Sequence, residues 1–493
     1  METISSLKPV MAVSVSLIAT IFIIASHKNA DRREAWTFLA AFVKLGIVAS
    51  MIPAILEGKE LVFQVVEILP NVGLGFRVDS FGLLFALVSS SLWIITSVYS
   101  IGYMRGLEEH SQTRYFCFFA LALSATVGVA FAANLFTLYL FYEMLSFATY
   151  PLVTHHQDSE ARVSGRKYLL YIVGTSVGLV LPAMLISYDL AGHLEFAKHG
   201  FLAGTGSGPL MLVLLLMLVL GFAKAAIMPL HAWLPAAMVA PTPVSALLHA
   251  VAVVKVGAFS IFRVITGVFG IELLTSLDLG MVVTYLAAFT TIVASLIALS
   301  QDGLKRRLAF STIGQLSYIV LGAALLTPYA LVGGMTHIAM HAFGKITLFF
   351  CAGAIFVATG KKNISEMVGI GKRMPITMGA FFIGSLSIIG LPPCGGFISK
   401  WYLVLGTLQA NQWPMLVVLL TSSLLTAGYF LPVVYKAFFC TEEEAMFGNR
   451  VQEAPRWCVV PLVVTAICTV LLFFYPQPFL EMASIAADGF LAR

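Results

Sequence analysis

Residues 221–259 read GFAKAAIMPLHAWLPAAMVAPTPVSALLHAVAVVKVGAF. They follow MLVLLLMLVL (211–220), a run that only an apolar interior accommodates. A lysine, Lys224, is followed within six residues by Pro229, which cannot continue a helix. Next come His231, a second proline (Pro235), a Pro-Thr-Pro turn, and another apolar helix bearing His249 and Lys255. A charged lysine at mid-membrane depth costs roughly 2.5–3.5 kcal/mol on insertion scales. A proline in a membrane helix frees backbone groups that protein or water must satisfy. Broken helices with ionisable side chains are how membrane proteins line an ion path. The bland alternative, a lysine snorkelling to the interface, fits poorly after so long an apolar run.

The rest of the composition agrees. Of the 493 residues, 59% are hydrophobic and 11% charged, with mean hydropathy +0.94. Soluble chains are nearer 45–50% apolar and about 25% charged. The reading is an all-α polytopic membrane protein, and the alternation of a membrane barrel is absent. The net charge of +5 is spread over short loops and implies no nucleic-acid partner. Six cysteines (Cys117, Cys351, Cys394, Cys440, Cys458, Cys468) form no CxxC pair, so no iron–sulfur or zinc framework is expected. The N-terminal apolar run lacks a small-residue cleavage site and reads as a first spanning helix.

At about 20 apolar residues per span, fourteen helices are expected near 9–27, 36–56, 79–104, 115–132, 134–154, 167–189, 209–230, 243–266, 279–300, 306–326, 329–358, 375–410, 415–438 and 457–479. The seventh breaks at Pro229 and continues to about Met238; the twelfth breaks at LPPCGG (391–396). With the N-terminus outside, the inner loops hold eighteen of the 29 basic residues, including Arg450, and the outer segments five, including Arg493. That bias fixes the orientation and supports the helix count.

GFAK around Lys224 and GFISK around Lys400 each adjoin a proline break, five helices apart. KYLLYIVG (167–174) and KITLFFCAG (345–353) share that offset. An odd offset means opposite orientation, so two inverted five-helix repeats, helices 4–8 and 9–13, are expected. The chain then divides into a three-helix segment (1–114), a first repeat (115–266), a second repeat (267–440) and a C-terminal helix (441–493).

Glu143 is the one acid placed at mid-membrane depth. A carboxylate in lipid protonates or finds a cation, and Lys224 is the natural partner. Tyr139, Ser146 and Tyr150 share its helix face. A static pair is the structural alternative, but a buried pair is weak evidence for stability, so function is favoured. A lysine held away from water gives up its proton more readily, and a nearby carboxylate opposes this. Glu143 and Lys224 can therefore work as a gate, with Lys255, Lys345 and Lys400 as later stations and His249 beside the path. His337, His341 and Lys345 recur on one helix face at i, i+4 and i+8. HxxxH can hold a metal, but no acid or cysteine accompanies it and the lysine would repel a dication. A hydrated proton relay is the better reading, with structural hydrogen bonding as the other alternative. His155 and His156 read as a solvated face. GTGSGP (204–209) reads as a flexible outer loop, not a phosphate cradle. No cofactor, dinucleotide, haem or nucleophile motif is present, so no redox or hydrolytic chemistry is assigned to this chain alone.

LFYEMLS around Glu143, GFAKAAIMPLHAWLPAAMVAPTPVSALLHA, DGLKRRLAFSTIGQLSY, HAFGKITLFFCAG and GLPPCGGFISKW together resemble the antiporter-like membrane subunits shared by respiratory complex I, membrane-bound hydrogenases and Mrp-type cation/proton antiporters. The resemblance covers nearly the whole chain. It implies two inverted half-channels joined by a central chain of lysines and histidines. By motif, Glu143 matches the glutamate of helix five, Lys224 the lysine of helix seven, and Lys255 that of helix eight, with His249 beside it. His341 and Lys345 match the pair of helix eleven, and Lys400 the terminal lysine, where some relatives carry glutamate. The arm-less form is most similar to the D-type Mrp subunit.

The expected function is proton translocation within a multisubunit membrane complex, with a translocase subunit of an NADH:quinone oxidoreductase-like or hydrogenase complex as the enzyme it would serve. The expected surroundings are other membrane subunits and the lipid bilayer of a bacterial or archaeal plasma membrane. Sodium/proton exchange in an Mrp assembly is the first alternative. A self-contained secondary transporter or a purely structural subunit is the second.

Overall fold

The computed structural model describes residues 2–440 and 451–491. Arg450 and Arg493, both counted in the charge bias, lie outside the described residues, as does the start of the C-terminal segment. The spanning helices are α1 (Lys8–Ala25), α2 (Ala30–Leu56), α3 (Ser80–Gly106), α4 (Gln112–Ala130), α5 (Leu135–Val153), α6 (Ser159–Ala191), α7 (Gly208–Gly221), α8 (Thr242–Phe269), α9 (Leu279–Ser300), α10 (Leu304–Ala324) and α11 (Pro328–Thr359). They continue with α12, in halves Pro375–Ile389 and Gly396–Gln409, then α13 (Trp413–Phe439) and α14 (Arg456–Phe474). Ten are long and apolar enough to cross a membrane. The exceptions are α5, α7, α10 and α12, the polar or broken segments. The protein is an integral, multi-pass, helical membrane protein.

Hydropathy set these spans, but packing decides their order of depth. The best-covered window of α8 is 100% buried, against 28% for α6 and 33% for α14. α8 is the axis of the bundle, and α11 packs on its inner turns while α10 packs on its centre. An axial helix is surrounded by protein, so its polar groups meet other side chains instead of lipid.

The break in the seventh segment starts earlier than its prolines suggest. α7 ends at Gly221, and the chain leaves helical geometry from Phe222 through a left-handed Ala226 (φ 55°). Lys224 therefore lies in the break itself, not in the helix before it. The freed backbone is satisfied by side chains. Lys224 N–H donates to the Tyr142 hydroxyl (3.1 Å), Met228 N–H to Thr290 (3.2 Å), and Trp233 Nε1 donates to the Ala223 carbonyl (2.9 Å). Gly257 of α8 lets that backbone approach, since a Cβ there would lie 2.0 Å from the Ala225 nitrogen.

α8 departs from a regular helix. π-helical turns span Leu247–Val251 and Val264–Phe269, with a break at Ala252 between His249 and Lys255. Regular helical spacing therefore does not relate these two side chains.

Two elements were not anticipated. Three strands, β1 (Glu2–Ser5), β2 (Lys59–Leu69) and β3 (Val72–Val78), form a sheet in order β1-β2-β3, with β1 parallel and β3 antiparallel to β2. The Pro-Asn turn at 70–71 joins the last two, with Asn71 left-handed (φ 59°). The sheet is tied to the start of α5: Asn134 donates to the Gly73 carbonyl (2.8 Å), and Gly75 N–H donates to Thr137 (3.1 Å). The last spanning helix stops at Phe474, short of the expected 479, and an amphipathic helix α15 (Gln477–Leu491) follows. α15 lies against α3 and α11, with Ser80 donating to the Met482 carbonyl (2.7 Å).

Candidate functional site

Every residue expected on the path except Glu143 is a cation or imidazole in the bundle interior. Lys224, Lys255 and Lys345 are fully buried, and Lys400 nearly so (8% exposed). His249 and His341 are buried beside them.

Lys224 does not form the expected ion pair. Its Nζ donates to the Tyr142 carbonyl (2.7 Å) and to Ser146 Oγ (2.6 Å), and lies over the Tyr142 ring. Tyr142 and Ser146 stand on α5 on either side of Glu143 in sequence. The carboxylate oxygens of Glu143 are buried and accept no hydrogen bond. The helical spacing explains the outcome: Tyr142 and Ser146 are i and i+4, so they share one face. Glu143 turns toward the face of Leu140 and Phe147, which are 43% and 60% exposed. Ser146, expected on the same helix face as Glu143, thus takes the place at the Lys224 ammonium that was expected of the carboxylate.

The link between the two halves is a contact between Lys255 Nζ and His341 Nδ1. His341 lies one turn from His337 on α11, with ring centroids 5.6 Å apart. His337 Nδ1 hydrogen-bonds to Ser399 Oγ (2.8 Å), next in sequence to Lys400. The Tyr318 ring bridges the same gap, 5.5 Å from His337 and 4.9 Å from Lys400 Nζ. His337 thus belongs in the row, although it is not among the residues carried over from the family motif. Its place on the HxxxH face was the signal. The two rings turn to different partners, Ser399 and Lys255, which opposes a metal between them.

Lys345 branches from the row. Its Nζ donates to Ser311 Oγ (2.7 Å), which accepts from the Tyr429 hydroxyl (2.9 Å), and Tyr429 reaches Thr426 (3.1 Å). His249 packs its ring against Phe349, and neither ring nitrogen has a protein partner. Lys400 reaches back across the break in α12 to the carbonyls of Ile388 (2.8 Å) and Ile389 (2.9 Å) and to Ser423 Oγ (3.1 Å). Carbonyls at a helix C-terminus favour a cation.

On the basic, inner side a cavity of about 820 Å³ opens, lined by Glu109, His156, Lys167, His231, Thr242 and Lys305 among others. His231, in the broken segment, joins this cavity to the stretch holding Lys224. His156 fits a solvated face, but His155 is fully buried. Burial, with His110, Arg114 and His156 nearby, pushes its imidazole down to about 3, which keeps it neutral. At the outer end, Arg263 of α8 clamps Asp79, the N-cap of α3, through two bonds of 2.5 Å. Burial would raise the Asp79 carboxyl, but Arg263 outweighs it and holds it below the ordinary value.

Residues 132–426 match the family described as NADH:quinone oxidoreductase/Mrp antiporter, transmembrane. The chain belongs to this family. Among curated relatives of this antiporter-like chain, subunit N of the NADH-quinone oxidoreductase of Desulforudis audaxviator is 36% identical over 77% of the chain and 78% of the relative. Subunit A1 of the Na(+)/H(+) antiporter of Staphylococcus haemolyticus is 29% identical over 92% of the chain, but the chain spans only 60% of that longer protein. Two solved structures share the fold. A chain of the Mrp complex from a Dietzia species superposes with TM-score 0.85 at 21% identity, covering 98% of both chains. A chain of an archaeal membrane-bound sulfane sulfur reductase does so with TM-score 0.88 at 22% identity, covering 99% of this chain and 98% of that one. These relatives are subunits of multisubunit membrane complexes, as this family member is read to be.

Proposed function

We propose that this chain is the proton-translocating, antiporter-like subunit of a multisubunit membrane complex, working beside other membrane subunits. The observation that carries this reading is the row Lys224, Lys255, His341, His337, Lys400, which runs through the bundle centre with no carboxylate within ion-pair distance among the described residues. A static ion-pair network would neutralise such cations locally. A row without carboxylate partners suits a proton that moves from site to site.

Protons enter from the inner cavity past His231 and reach Lys224, whose ammonium is held by Ser146 and the Tyr142 carbonyl. Glu143 acts at a distance. Its helix face is turned outward at Leu140 and Phe147, where a neighbouring subunit can change its charge state. When that charge is withdrawn, Lys224 releases its proton toward Lys255 and His341. The ring nitrogens of His249, His337 and His341 that lack protein partners are the points where water bridges the row. Lys400, stabilised by the half-helix carbonyls, delivers the proton outward. Moving one charge across 100 mV requires about 2.3 kcal/mol, which a change of charge at Glu143 beside the buried Lys224 can supply. No residue here performs redox or hydrolytic chemistry in this scheme. The energy comes from the neighbour, whether a redox partner or a sodium gradient.

The test is ion transport in inverted vesicles containing the whole complex, comparing the native chain with Lys224→Ala and Glu143→Ala. Loss in both, with assembly intact on a native gel, supports the scheme. Retained transport in both leaves a scaffold role. Loss confined to conditions with sodium as counter-ion favours the sodium/proton antiporter reading, the activity for which the staphylococcal relative is named.

A further inference from the structure

Four side chains at the inner mouth have no part in this scheme. Glu109 and His110 lie in the loop between α3 and α4; His155 and His156 lie in the turn after α5. Ligand atoms of Glu109, His110 and His156 all stand within 4.8 Å of one another, the single such His/Cys/Asp/Glu group among the described residues. Glu109 Oε2 lies 3.7 Å from His156 Nδ1 and 3.7 Å from His155 Nε2. That is long for a hydrogen bond. It is close to the roughly 3.3–3.6 Å that separates two ligand atoms each about 2.0–2.2 Å from a tetrahedral zinc.

The second observation is His155. It is fully buried, and neither ring nitrogen has a hydrogen-bond partner. Its ring lies flat on His110, with centroids 4.8 Å apart and planes 2° from parallel. A buried imidazole with idle nitrogens beside two others and a carboxylate is unusual unless something is meant to come between them.

The backbone around the group is fixed. Gln112 donates to the Glu109 carbonyl (3.1 Å) and is itself held by Arg33 (2.9 Å). Arg114 donates to the His155 carbonyl (2.8 Å). Arg114, bonded to the His155 carbonyl, opposes a cation, as does Lys167 in the cavity lining, and Glu109 supplies the offsetting negative charge. Two imidazoles and one carboxylate suit zinc and its neighbours, while magnesium and calcium prefer all-oxygen shells. Three protein ligands leave a fourth position for water, the pattern of an exchangeable site and not of a closed structural one.

We propose that Glu109, His110 and His156 bind a zinc-class divalent ion, positioned by His155, and that the bound ion closes the inner cavity to protons. Glu109 and His156 line that cavity, so an ion on them adds positive charge where protons enter. Closure, unlike binding, rests on the proton reading.

The experiment titrates zinc chloride, with magnesium chloride as control, into the purified whole complex and into vesicles. Variants are His110→Ala, at an exposed position that leaves zinc-free transport unchanged, and His110→Asn as a second replacement. The native complex should hold one more zinc than either variant, and cobalt in its place should give the visible absorption of a tetrahedral site. Zinc should inhibit native transport reversibly on chelation, and the variants should need at least about tenfold more zinc, in line with the cost of altering a metal site's surroundings. Equal zinc content in native and variant complexes overturns the site. Site-dependent binding with unaltered transport overturns the closure. The binding measurement requires no transport, so its failure is distinct from failure of the proton scheme.

Discussion

The two broken helices hold their lysines in opposite ways. Lys224 is gripped by another helix: Tyr142 and Ser146 of α5 take its ammonium, and Tyr142 takes its backbone N–H as well. Lys400 is gripped mainly by its own helix, through the Ile388 and Ile389 carbonyls across the break. The first lysine therefore responds to any movement or charge change on α5, where Glu143 lies. The second is insulated from such changes and has a fixed dipole for company. One sequence device, a lysine beside a proline break, is held by a neighbouring helix in one case and mainly by its own helix in the other, which under the proposed scheme makes the first site switchable and the second steady.

The largest expected effect comes from cutting the connection between these sites. Lys255→Ala removes the contact that joins α8 to His341 and should reduce transport about 100-fold, the factor given by a barrier raised by about 3 kcal/mol. Initial-rate measurements in vesicles check this. Transport within a few fold of native would mean the two halves work independently.

Next is the packing that both breaks share. Gly257→Ala would set a Cβ 2.0 Å from the Ala225 nitrogen, and Gly396→Ala one 1.9 Å from the Ser387 carbonyl oxygen. Each should cost about 1–3 kcal/mol, read as a lower Tm in detergent. A drop for one alone would show that only one break is rigid.

A sharper contrast follows from the hydroxyls. Ser146→Ala removes the side-chain acceptor of the Lys224 ammonium and leaves it the Tyr142 carbonyl; it should slow transport about tenfold, as expected for a hydrogen bond to a charged group worth roughly 1.5–3 kcal/mol. Ser423→Ala leaves Lys400 with both carbonyls and should have a smaller effect. Equal losses would erase the distinction between a switchable and a steady site.

The smallest effect is on pH dependence. Asp79 has a lowered carboxyl in the folded state, so its pairing with Arg263 stabilises the fold above the ordinary aspartate value of about 3.9 and is lost as pH falls through the lower folded value. The Tm difference between native protein and Asp79→Asn should be constant near neutrality and vanish in acid. A difference that persists in acid would assign the effect to packing.

Residue order alone sets the number of spans, the presence of both interruptions and the identities of the buried ionisable groups, while the exact start of the first break and end of the last span came from the packed bundle. Apolar run length and proline placement fix where a chain can cross a bilayer and where it must break, whatever its neighbours. It left the strands at 59–78 as loop because their polar residues match an outer connection as well as a sheet edge. It missed α15 because an amphipathic helix after a spanning one looks like its continuation. Only the tertiary structure decided which polar atoms meet. Glu143 and Lys224 are complementary on paper, yet the α5 turn presents Ser146 and Tyr142 to the lysine. His337 enters the row because Ser399 faces it across α12. Glu109 meets His156 although the two lie on separate loops. Charge and hydropathy are properties of residues, whereas a hydrogen bond needs two atoms placed within about 3 Å, and only the packed bundle fixes that distance.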